Sequence, residues 1–213
     1  MRRFSVALVL AAAACASPQE PAKRPAREEP RAAPAALGKL PATYQNTPSC
    51  PACLALTITL RPDGAYFARE RVGNSEFYDF GAWKPAGEGI VHLAGGRDAP
   101  RRYAVRAGDV LDAQEGTQGG DLKRAAEVET LRGPFRMTGL YNGTTFKECR
   151  TGLAWRLDQT RTADALREDF DRRQVESVLV AIDGRLEAAA GGRVENLRVL
   201  RTASILSQRG CPG

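Results

Sequence analysis

The stretch Cys50-Pro51-Ala52-Cys53-Leu54-Ala55-Leu56-Thr57-Ile58-Thr59-Leu60-Arg61-Pro62-Asp63-Gly64 decides how this chain of 213 residues reads. Leu54, Leu56, Ile58 and Leu60 alternate with Ala55, Thr57 and Thr59, a period of two that describes a strand with one buried face. Arg61-Pro62-Asp63-Gly64 then reverses the chain, since Pro presets the second turn position and Gly accepts the positive φ that a tight turn can demand. The return strand covers 65–72, Gly73-Asn74 makes another turn, and 76–83 is a third strand. Shorter strands are predicted at 90–93, 101–106 and 110–113.

Short strands broken by Gly, Pro, Asp and Asn, with no helical period, predict an antiparallel meander over 39–122 that closes into a small lipocalin-like barrel. Trp83, Phe80, Tyr78, Phe77, Phe67 and Tyr66 supply its bulk as core or rim packing. Beyond a linker at 123–131, residues 132–213 read as a second barrel. Strands at 134–141, 145–149 and 153–157 are joined by Asn142-Gly143 and Arg150-Thr151-Gly152. A helix follows, capped by Thr162, with Ala163, Leu166 and Phe170 on one face. Strands at 175–187 and 194–206 complete the element order of a five-stranded OB-fold. The predicted fold class is therefore mainly β, two small barrels with one helix.

The amino-terminal segment carries an address. Arg2 and Arg3, an apolar run over 4–14 and small residues before Cys15 have the layout of a secretory signal peptide, 1–14, and the run is too short to span a bilayer. Ala12-Ala13-Ala14-Cys15 resembles a lipobox, which predicts lipidation of Cys15. Two or three acyl chains, at about 0.8 kcal/mol per buried methylene, anchor a protein where one does not. Ala16 in place of Asp predicts outer-membrane sorting with the body facing the periplasm. Residues 15–38 are rich in Pro, Ala and charge and predict a disordered tether.

Charge argues against nucleic acid as a partner. The formal charge of +6 falls to +4 when Arg2 and Arg3 leave with the signal, and the 13 basic and 10 acidic residues of 133–213 leave +3 there. These charges are interspersed, whereas a nucleic-acid face concentrates them. His92 is the only histidine and reads as structural. No Ser-His-Asp arrangement and no phosphate-binding glycine loop stands above chance, so no catalytic residue is assigned and an enzyme is not expected.

With Cys15 assigned to lipid, Cys50, Cys53, Cys149 and Cys211 remain, an even number in a compartment that favours disulfides, with three connectivities open. A Cys149–Cys211 bond would tie the carboxyl tail to the second barrel and is expected to be structural. Cys50 and Cys53 are then a local pair with several readings. A thioredoxin-type catalyst needs a helix amino terminus to lower the thiol pKa, and a strand follows here. Structural zinc takes four ligands, and this region offers two cysteines and one distant His92. Cu(I) accepts two soft thiolates, so the reduced pair suits copper; a short-loop disulfide without site function is the equal alternative.

Tyr44, Pro48-Ser49-Cys50-Pro51-Ala52-Cys53, the alternation to Leu60, Pro62-Asp63-Gly64 and Gly81-Ala82-Trp83 together resemble the amino-terminal domain of the NlpE copper-resistance and envelope-stress lipoproteins. Gln45-Asn46, Ser49 and Leu54-Ala55 depart from that family's pattern around the cysteines. The resemblance implies a lipidated start, an OB-like second domain with a cysteine pair, a link to copper tolerance and envelope stress, and contact with a sensor kinase. A small-ligand carrier and a weak thiol-disulfide oxidoreductase are the alternatives, and a homodimer is left open.

Overall fold

The structure, a computed structural model, describes residues 35–87, 89–95, 100–107, 109–188, 195–206 and 210–212. Cys15, the signal segment and most of the expected tether lie outside these residues. The described residues include the last four of the expected tether, 35–38. Ala35–Leu37 forms a 3-10 turn, and Leu37 is fully buried in the core of the first lobe. Arg124 holds it there by donating to the Leu37 carbonyl at 2.7 Å and to the Lys39 carbonyl at 2.5 Å.

The first lobe is a closed barrel of eight strands in chain order: β1 Ala42–Gln45, β2 Ala55–Leu60, β3 Ala65–Val72, β4 Ser75–Pro85, β5 Ile90–Ala94, β6 Arg101–Arg106, β7 Val110–Ala113 and β8 Leu122–Arg124. β1 and β8 were not read from the sequence. They close the wall through the pairs Tyr44↔Arg124 and Gln45↔Lys123, so the barrel takes in two residues of the expected linker. The turn after β2 has the expected chemistry: Asp63 Oδ1 accepts from the Ala65 amide at 3.2 Å, and Gly64 has φ +82°.

Strand parity decides what fills the barrel. Leu56, Ile58, Leu60, Tyr66, Ala68, Trp83, Val91, Leu93, Tyr103, Leu111 and Leu122 form one buried cluster with Tyr44. Glu70 on β3 shares the parity of Tyr66, and Arg101 on β6 shares that of Tyr103. They meet as a buried ion pair. The expectation that all six aromatics supply one barrel needs correction. Tyr66 and Trp83 point inward, but Phe67 and Phe80 lie on the outer face and join a different cluster with Tyr78 packed against it, while Phe77 is 41% exposed.

The second lobe is a five-stranded sheet in the order β11-β10-β9-β12-β13, with β9 Phe135–Tyr141, β10 Thr145–Glu148, β11 Ala154–Arg156, β12 Val178–Ala188 and β13 Glu195–Leu206. All ladders are antiparallel. The outer strands approach through one parallel bridge, Leu157↔Leu197, where the Asp158 amide donates to the Leu197 carbonyl at 3.0 Å. This is the OB-fold strand order as a curled, partly open sheet. Helix α1, Arg161–Arg173, starts two residues earlier than expected. Its cap is Thr160, which accepts from the Ala163 amide and is steadied by Asp158. Thr162 lies inside the helix. Ala163 and Leu166 are buried, and Phe170 meets the Tyr141 ring edge-on at 5.4 Å.

The two lobes share a core. Phe135 is 1% exposed and packs against Phe67 and Phe80 at centroid distances of 5.1 and 5.6 Å, while Trp155 meets Phe80 at 6.4 Å. The segment between β8 and β9 is pinned to the barrel wall. The Glu129 amide donates to Thr43 Oγ1 at 2.8 Å, Thr59 Oγ1 donates to the Glu129 carbonyl at 2.9 Å, and Arg69 grips the Glu129 carboxylate with both terminal nitrogens. Phe135→Ala should therefore destabilise the whole protein by about 3–5 kcal/mol, the usual cost of removing a buried Phe side chain. Guanidinium unfolding followed by tryptophan fluorescence measures it; a loss under about 1 kcal/mol would contradict a shared core.

Candidate functional site

Cys50 and Cys53 sit on the loop between β1 and β2, at the barrel rim shared with the β3–β4 turn and the β7–β8 loop. The Cys53 amide donates to the Cys50 carbonyl at 3.1 Å, which folds Pro51 and Ala52 outward. A disulfide joins the two sulfurs across a Cα separation of 5.1 Å. Cys50, Pro51 and Ala52 are exposed and Cys53 is half-buried. Ser49 Oγ lies 3.6 Å from Cys53 Sγ.

The base of this loop is held by a residue that sequence reading noted only as a family departure. Asn46 Nδ2 donates to the carbonyls of Leu54 and Gly119, both at 2.9 Å. Its Oδ1 accepts from the Leu56 amide at 2.7 Å, and its own amide donates to the Leu56 carbonyl at 3.1 Å. Four hydrogen bonds therefore fix the loop's stem independently of the disulfide. Asn directly after a strand is a usable signal for such a side-chain clamp, but its partner Gly119 is 73 residues away.

Chemically, a rim-loop pair followed by β2 lacks the helix amino terminus that activates thiols in dithiol oxidoreductases. His92 lies on β5 between Lys84 and Arg102 on the neighbouring strands. Its pKa is held below the ordinary 6.5, first by burial and then by those two cations. Among the described residues no group of three or more His, Cys, Asp or Glu side chains could hold a metal ion; two thiolates alone suit linear Cu(I) coordination. The barrel axis is occupied by Tyr44, Tyr103, Ile58 and Leu93, each at most 1% exposed. Burial pushes the Tyr103 hydroxyl up to about 12.

The second cysteine pair has the opposite setting. Cys149 follows β10, its amide donating to the Thr138 carbonyl at 2.9 Å, and a disulfide links it to Cys211 with a sequence separation of 62. Beside it, the buried Glu148 carboxylate accepts from the amides of Arg150 and Thr151 and from the Thr151 hydroxyl. This bond fastens the carboxyl tail to the sheet.

No family model matches this chain, and no curated protein matches it. Among solved structures, the crystal structure of the Cpx pathway activator NlpE from Escherichia coli is similar at 17% identity, covering 82% of this chain and 100% of that one with a TM-score of 0.36. At that TM-score the likeness carries no argument.

Two outcomes follow from these settings. Cys149→Ser should cost about 4 kcal/mol in the loop-entropy description of a loop this long, and limited proteolysis should then release fragments of 132–213; an unchanged digestion pattern would contradict a fastening role. The single histidine gives one unambiguous imidazole resonance, whose titration midpoint should fall below 6.5. Because the folded pKa is lowered, neutral His92 costs nothing above 6.5, and stability is lost as pH falls from there through the folded midpoint. A midpoint at or above 6.5 would refute the assignment of burial and the two cations as its surroundings.

Proposed function

We propose that this chain is a non-catalytic lipoprotein, anchored through Cys15 in the outer membrane and facing the periplasm, that responds to envelope redox state or copper through the Cys50–Cys53 loop. One observation carries the reading: the disulfide, with Cys50 exposed and Cys53 half-buried, lies on a rim loop whose stem Asn46 holds by itself. Opening the bond changes the loop and leaves the barrel intact, as a sensing element requires. The Cys149–Cys211 bond instead fastens the tail and suits a structural role.

Reduction by an external dithiol transfers two electrons and two protons, giving two thiols on the protein and a disulfide on the reductant. Cu(I) then displaces the two thiol protons and binds the thiolates. The resemblance of the stretch from Tyr44 to Trp83 to the NlpE lipoproteins supports an envelope-stress role, with a sensor kinase as the partner that reads the loop.

Titration of fully reduced protein with Cu(I) against a colorimetric competitor tests this. Wild type should bind one Cu(I) at least about tenfold more tightly than the Cys50→Ser, Cys53→Ser double variant, which keeps Cys149 and Cys211 as an internal control. Equal affinities would sink the metal role, and a double variant with altered melting would sink the separation of loop from barrel.

A further inference from the structure

The two sulfurs of the Cys50–Cys53 bond are not equivalent. Cys50 is exposed and Cys53 is half-buried. Thiol–disulfide exchange is an in-line displacement, in which a thiolate approaches one sulfur along the S–S axis from the side opposite the sulfur that leaves. Access therefore decides which sulfur is attacked. Access favours Cys50. Cys53 Sγ also has Ser49 Oγ within 3.6 Å, which takes up part of its surroundings.

Ser49 adds a second asymmetry, a chemical one. A disulfide sulfur carries no hydrogen, so the Ser49 hydroxyl is the donor in this contact and Cys53 Sγ the acceptor. A disulfide sulfur accepts weakly, whereas a thiolate is a charged acceptor, and charge-assisted hydrogen bonds are about twice as strong as neutral ones. The contact therefore strengthens as the bond breaks toward Cys53 and gains nothing if it breaks toward Cys50. The loop backbone does not supply the same service to Cys50. Pro51 has no amide hydrogen, and the Cys53 amide is committed to the Cys50 carbonyl at 3.1 Å.

We infer that Ser49 gives the loop disulfide a fixed polarity: an external thiolate attacks Cys50 Sγ, and Cys53 leaves as a thiolate held by the Ser49 hydroxyl. The new bond joins Cys50 Sγ to the incoming sulfur, while the electron pair of the broken bond stays on Cys53 Sγ, which takes a proton from water. The second thiolate of a dithiol partner then attacks the partner sulfur of this mixed disulfide, releasing Cys50 as a thiolate and leaving the partner as the disulfide. The partner class is thus a dithiol presented on a surface that the exposed Cys50 can reach. The inference rests on the redox half of the reading above, that an external thiol opens this bond, and is independent of its copper half.

Brief exposure of the oxidised full-length protein to excess glutathione, quenched with acid and N-ethylmaleimide, tests the assignment. Fragmentation of the peptide carrying both cysteines should place glutathione on Cys50 and maleimide on Cys53 at the earliest times, a result that needs no variant. Opening of the bond should be about threefold or more slower in Ser49→Ala, and Ser49→Thr, which keeps a hydroxyl, should recover most of the wild-type rate. Glutathione on Cys53, an unchanged rate in Ser49→Ala, or a Ser49→Thr rate as slow as that of Ser49→Ala would overturn the inference and leave the redox reading standing. A bond that neither glutathione nor dithiothreitol opens would overturn both.

Discussion

Phe135 seated against Phe67 and Phe80 is the contact on which the rest of the molecule depends. A barrel of eight short strands needs only one buried face per strand, yet Ala65, Tyr66, Phe67 and Ala68 of β3 are all buried. One parity of β3 fills the barrel and the other supplies the second lobe. The strap over 125–134 does the same with polar groups, threading Glu129 between Thr43, Thr59 and Arg69. A neutral hydrogen bond contributes about 1 kcal/mol net, so the set is comparable to one buried aromatic side chain. The described residues form one compact unit built from two sheets.

The barrel's interior places an ion pair where a purely apolar core would also fit. Glu70 and Arg101 are 8% and 4% exposed, and Arg101 has its pKa held up against burial by Glu70. Removing either member would leave a buried charge, so the pair fixes which strands oppose each other more than it adds to net stability. It also gives the barrel a polar centre between Tyr66 and Tyr103. Sensing, in this account, is confined to the rim, where Asn46 separates the Cys50–Cys53 loop from that packed interior.

Much of the fold was legible because alternation and turn chemistry are local. β3, β6 and β7 fall where the pattern puts them, and the Asp63-Gly64 turn has the geometry its residues dictate. β1 and β8 were missed for a physical reason: they have four and three residues, too short to display a period, and they are strands only because the barrel closes on them. The helix is capped by Thr160 and not Thr162, with Asp158 orienting the Thr160 hydroxyl, a contact spacing does not reveal. The side to which Phe67 and Phe80 point follows from parity, but which lobe buries them requires the tertiary contact with Phe135. At the site, the Cys-x-x-Cys spacing was plain, whereas the Asn46 clamp on Gly119 comes together only in the folded chain.

Native-state hydrogen exchange under increasing denaturant tests most directly whether the shared core makes the lobes one cooperative body. Ile58 on β2 and Ile182 on β12 each lie mid-strand with a strand paired on both sides. The account predicts that they open with the same free energy and the same dependence on denaturant concentration. Two distinct openings, with β12 exchanging while β2 stays protected, would contradict it.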